Sequence, residues 1–187
     1  MLTILDTYGR AVTQARISLN SSMQCNFSCE FCHMEGIKEK NSNLLQPLEL
    51  ERLCRMLTFF GIFKIKLTGG EPLLRKDIEE IVERINSTGI KEISLSTNGT
   101  NFVVLASKLK NKGLKRVNIS LHTLKHERFK KLTGVNNLDY TIDAIKAAID
   151  TKLLPVKINT TIMKGINDDE IDDFIEFSHK LGGSDTN

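Results

Sequence analysis

FKIKLTGGEPLLRKDIEEIVERINSTGIKEISLSTNG, residues 63–99, reads as one strand–helix–strand unit. FKIKLT (63–68) alternates apolar and polar residues, as a strand with two different faces does. The stretch RKDIEEIVERINSTG (75–89) is helical and closes on Gly89, where a left-handed stop is needed. EISLST (92–97) then alternates again. Between the first strand and the helix lies TGGEP (68–72). Its glycines permit positive φ and close backbone approach, and Pro72 suits a first helical position.

The same rhythm runs through the chain. Further strands are expected at ARISLN (15–20), RVNISLH (116–122) and VKINTTI (156–162). Further helices are expected at PLELERLCRMLTFFG, NFVVLASKLKNKG, NLDYTIDAIKAAIDT and DDEIDDFIEFSHKLGG, with Gly61, Gly113 and Gly182 as stops. Strand, helix, strand at this spacing means parallel strands with right-handed crossovers. The fold class is therefore α/β: a partial (β/α) barrel of about five parallel strands and five outer helices.

Buried parallel strands usually read as continuous apolar runs, whereas these alternate. One face carries Ile17, Leu19, Ile65, Leu67, Ile93, Leu95, Val117, Ile119, Leu121, Val156, Ile158 and Ile162. The other carries Arg16, Lys66, Ser96, Asn98, Asn118, Ser120, His122, Lys157 and Asn159 among others. Burying so many polar groups without partners costs roughly 1–3 kcal/mol each. The polar face must line a wet interior, so the barrel holds a binding cavity rather than a filled core. Arg16, Lys66 and Lys157 enter it from different strands. Such cations repel one another unless a polyanion arrives, which points to a phosphate-bearing ligand.

Composition narrows the class further. The 187 residues are 40% hydrophobic and 26% charged, as in an ordinary one-domain globular protein. A net charge of +3 is too small to suggest nucleic acid. No run approaches the roughly 18 apolar residues of a membrane span. The start, MLTILDTYGRAVTQ, does not read as a signal peptide, so a cytoplasmic location is expected.

Three of the four cysteines crowd into CNFSCEFC (25–32), which disfavours a disulfide framework and favours metal or redox chemistry. A structural zinc site wants four ligands. His33 follows Cys32 directly and would have to fold back. Cys54 lies mid-helix with Leu50, Leu53 and Leu57, as a buried structural thiol does. Three thiolates suit a four-iron cluster with one iron left open, which a small molecule could chelate through an amine and a carboxylate. His122, His126 and His179 show no convincing partners and read as surface or rim residues.

CNFSCEFC matches the C-x3-C-x2-C signature of radical S-adenosylmethionine enzymes, including the aromatic before the last cysteine. More narrowly, RISL, CNFSCEFC, LTGGEPLLRKD, STNG, NISLHTLKHERFKKLTG and VKINTTIMKGINDDEI resemble, in order, the molybdenum cofactor biosynthesis protein A family, the GTP 3′,8-cyclases. The resemblance implies that Cys25, Cys29 and Cys32 hold a [4Fe-4S] cluster. It implies contacts to S-adenosyl-L-methionine from Phe31, Gly70 and Ser120, and to GTP from Arg16, Lys66, Ser96 and Lys157. Serine at 96 and lysine at 66 replace the threonine and arginine commoner in the family; Lys66 keeps the charge but loses the bidentate fork. The implied reaction is radical abstraction of the ribose 3′ hydrogen, then attack on C8 of guanine, in molybdenum cofactor biosynthesis. Implied partners are a one-electron reductant of flavodoxin or ferredoxin type and, by the same likeness, a homodimer, with no nucleic acid and no membrane. Family members add a sixth strand and a C-terminal region with a second cluster. Residues 1–187 are expected to be the radical S-adenosylmethionine core without them.

Overall fold

The computed structural model describes residues 2–20, 24–32 and 44–182. Its centre is one sheet of five parallel strands in the order β1-β2-β3-β4-β5: β1 (Gln14–Ser18), β2 (Lys64–Thr68), β3 (Glu92–Thr97), β4 (Arg116–Ser120) and β5 (Lys157–Asn159). Helices α1 (Pro47–Phe59), α2 (Ile78–Asn86), α3 (Phe102–Lys112), α4 (His126–Thr133), α5 (Leu138–Asp150) and α6 (Ile171–Gly182) surround it. The sheet is open, and the architecture is that of a partial (β/α) barrel.

The alternation in the strands decides which face is which. Ile65, Leu67, Ile93, Leu95, Val117 and Ile119 are at most 1% exposed and meet the apolar faces of the helices. Each such side chain contributes roughly 1.5–3 kcal/mol by leaving water. Lys66, Ser94, Ser96, Asn118 and Ser120, on the opposite face, stay half-buried, so that face is wet as expected. Leu153, Leu114 and Cys54 are sealed at the back of the same core, and Cys54 is 0% exposed.

Four expectations need correction. The connection from β4 to β5 contains two helices, not one: α4 precedes α5. β5 is three residues long and stops well short of Ile162, which is 46% exposed. Gly61, Gly89 and Gly113 do have positive φ, but Gly182 does not and ends α6 in helical conformation. His122 is no rim residue; only 8% of it is exposed. Among the described residues, no helix is long and apolar enough to cross a membrane.

The register fixes what sits level with what. Arg16 lies opposite Lys66, and Lys66 opposite Ser94. One step nearer the C-terminal edge, Ser96 lies opposite Asn118, and Asn118 opposite Lys157. At the edge itself Ser120 lies opposite Asn159. The strands' C-terminal ends therefore raise a row of small polar groups on the wet face, where folds of this kind place their sites.

Candidate functional site

The TGGEP turn grips the chain just after β1. Leu19 N donates to Thr68 O at 2.8 Å, and Asn20 Nδ2 donates to Glu71 O at 2.6 Å. Glu71 N donates to Gln24 O at 3.0 Å. A Cβ on Gly69 would stand 2.8 Å from Asn20 N, and its φ is +140°. Only glycine lets the two backbones approach this closely. A 3-10 turn (Pro72–Leu74) then leads away from the site.

Glu71 itself is 1% exposed. Its carboxylate accepts from Leu73 N at 2.9 Å, Thr97 Oγ1 at 2.8 Å and Asn98 N at 2.7 Å. Burial outweighs these donors and pushes its pKa up to about 7. Glu71 thus joins the second strand's turn to the third.

The cysteine loop rests on α4. Ser28 N donates to Thr133 O at 2.9 Å and Glu30 N to Leu132 O at 3.1 Å, using carbonyls at the helix C-terminus. Phe27 meets Phe129 edge-to-face, with centroids 5.9 Å apart. Asn98 Nδ2 approaches Cys25 Sγ at 3.8 Å and donates to Asn26 Oδ1 at 3.1 Å. Asn98 therefore reaches the loop as well as shaping its own turn. All four cysteines are free thiols; Cys25 and Cys29 are half-buried and Cys32 is exposed. Burial pushes the Cys29 thiol up to about 11, with neighbouring Cys25 and Cys32 adding to the effect, and burial raises Cys25 too. His33 lies outside the described residues.

Cys25, Cys29, Cys32, Phe31, Gly70, Ser96, Ser120 and Arg16 all line one cleft of about 320 Å³ at the C-terminal ends of the strands. Lys66 and Lys157 are not in its lining. Each stands two residues before a lining residue of its own strand, Thr68 and Asn159 respectively. Arg16 and Lys66 each already have an interaction within the chain. Ser96 Oγ is buried with no hydrogen-bond partner, an acceptor and donor waiting in the wall.

The lining also includes residues to which the sequence reading gave no ligand contact, among them Thr97, His122, Asn159 and Thr161. His122 packs against Phe31 with ring centroids 4.4 Å apart. Its Nδ1 accepts from Thr161 N at 3.0 Å, which leaves the hydrogen on Nε2 of the neutral ring. Burial pushes its pKa down to about 4, so the ring stays neutral through the physiological range. The strand alternation already set His122 in phase with Asn118 and Ser120. That was the signal for it.

The donor set fits an iron–sulfur cluster. Three free thiols line the cleft, and among the described residues no three His, Cys, Asp or Glu side chains converge on a single metal position. A cluster takes its thiolates at separate corners, so they need not converge.

Known proteins agree with this architecture. A probable GTP 3′,8-cyclase of Thermococcus kodakarensis is 49% identical over 179 residues, covering 96% of this chain and 57% of that protein. One from Methanocaldococcus jannaschii is 44% identical over 177 residues, covering 95% of this chain and 58% of its own length. The chain thus spans a little over half the length of these curated relatives. Among solved structures, Streptococcus suis SuiB bound to S-adenosylmethionine superposes with a TM-score of 0.73 at 21% identity, over 92% of this chain and 39% of that one. Methylornithine synthase (PylB) gives 0.64 at 19% identity, over 94% of this chain and 51% of that one. At such identities these two speak for the fold alone. Residues 19–178 match the family described as the radical SAM superfamily, and the chain belongs to it.

Proposed function

We propose that this chain is the catalytic core of a GTP 3′,8-cyclase, with Cys25, Cys29 and Cys32 holding a [4Fe-4S] cluster and the cleft taking S-adenosylmethionine. The observation that carries the reading is the cleft itself: three thiols, a glycine turn, two serines and an arginine meet there from four strands and their loops. Relatives bearing the cyclase name support the substrate, at 49% and 44% identity.

Cys25, Cys29 and Cys32 would hold the cluster, which would supply one-electron reducing power for cleavage of S-adenosylmethionine; the rest is positioning. Gly70 offers backbone groups to the amino end of the cofactor. Phe31, braced by neutral His122, gives a flat wall for a purine. Ser120 and the unpartnered Ser96 Oγ supply hydrogen bonds at two steps across the sheet. Arg16, with Lys66 level beside it, offers positive charge to a triphosphate, and Lys157 does so from the far strand. No general acid or base is required of these residues. A one-electron reductant of flavodoxin or ferredoxin type, a cytoplasmic setting and assembly as a homodimer complete the proposal.

The test is anaerobic reconstitution of the chain with iron and sulfide, followed by metal analysis. About four irons with matching sulfide per chain are expected. One zinc per chain would overturn the assignment. The substrate is tested on the full-length gene product: conversion of GTP in the presence of S-adenosylmethionine and reductant supports the cyclase. Turnover of a peptide but not GTP would reassign the enzyme within the superfamily.

A further inference from the structure

Arg75 ends the turn that carries Gly69, Gly70 and Glu71, and it does not line the cleft. Only 9% of it is exposed, and its guanidinium makes four hydrogen bonds within the chain; with Asp77 and Cys25 it borders a separate hollow of about 610 Å³. Its Nε donates to Asp77 Oδ1 at 2.8 Å, and one terminal nitrogen donates to Asp77 Oδ2 at 2.6 Å. The other terminal nitrogen donates to two backbone carbonyls, Leu19 O at 3.1 Å and Leu45 O at 3.0 Å. Leu19 is the residue after β1, six before Cys25. Leu45 lies two residues before α1. One nitrogen therefore ties the entry of the cysteine segment to its exit.

We propose that Arg75 is the positioning residue of this segment, a pin across its neck that holds Cys25 and Cys29 in place before any ligand arrives. The importance of those thiols rests on the cluster reading above. The geometry demands arginine. Two hydrogens on one nitrogen serve the two carbonyls, while the Asp77 carboxylate takes the opposite edge of the same plane and fixes its orientation. A lysine has one donor centre and cannot hold Asp77 in a fork while bridging two carbonyls.

Thiol reactivity of the metal-free, 187-residue chain tests this, using iodoacetamide under anaerobic conditions and peptide-resolved mass spectrometry. Cys54, sealed in α1, is the built-in control. Arg75→Lys should raise alkylation of Cys25 and Cys29 about tenfold with Cys54 still protected, as expected when a charge-assisted contact worth about a factor of ten is lost. Asp77→Asn, which loosens the fork without removing any side-chain helix cap, should raise it about threefold. It keeps the test decisive if Arg75→Lys does not fold. Unchanged rates at Cys25 and Cys29 overturn the proposal. So does a parallel rise at Cys54, which would make Arg75 a support of the whole fold and no pin of the segment. The measurement contains no iron, so a failure of cluster loading would leave its result intact.

Discussion

Glu71 is the residue whose ionisation the fold opposes most clearly. Its two oxygens share three donors, but burial dominates and its pKa stands at about 7 against 4.5 in a free side chain. Between those values the folded chain keeps a proton that the unfolded chain has released. Its contribution to stability is complete below about pH 4.5 and is lost as pH rises through about 7. The loss is roughly 3 kcal/mol. Urea unfolding at about pH 5 and about pH 8 should show the decline, and Glu71→Gln should flatten it; an unchanged slope in the variant would move the cause elsewhere. The cysteines divide just as sharply. Cys29→Ala should abolish iron loading while changing the metal-free melting temperature little. Cys54→Ala should do the reverse, costing about 1 kcal/mol with iron content unchanged. The thiol motif and the glycine turn were legible because their spacing is local. His122 was not, although it sits in the strand alternation, because its partners Phe31 and Thr161 are far off in sequence.

At the scale of elements, α4 carries more than its length suggests. Eight residues, HERFKKLT, present three buried side chains, Phe129, Leu132 and Thr133, and their C-terminal carbonyls support the cysteine loop. With so few apolar points the helical period cannot be recognised, which is why the sequence pattern passes over it. The strands, by contrast, declare themselves through strict alternation, and their register follows once the buried face is known. Phe129→Ala should destabilise the chain by about 3–5 kcal/mol, read from denaturant midpoints. Gly134 caps the helix at φ +76°, where a Cβ would meet Ser28 Oγ. The serine can turn away, so Gly134→Ala should cost only about 1 kcal/mol, chiefly from backbone strain. Should it cost nothing, the left-handed cap is not required.

Across the whole molecule, order falls off from the centre of the sheet toward β5. β2 and β3 are paired on both sides and sealed beneath helices, whereas β5 pairs only with β4 through three residues. No residue of α6 is buried, and Ile171 and Ile175 are 46% and 52% exposed. Hydrogen exchange should therefore release amides of α6 and β5 first and those of β2 and β3 last; uniform protection would contradict this gradient. The brevity of β5 has another result. A row of unsatisfied peptide groups invites a neighbouring molecule to zip on and seed fibres. At β5 the rim offers only KIN, with lysine's charge at its head, so an intruding chain finds little to clasp on that side. That side of the sheet is thus a poor template for polymerisation, whereas β1, the other edge, presents five residues.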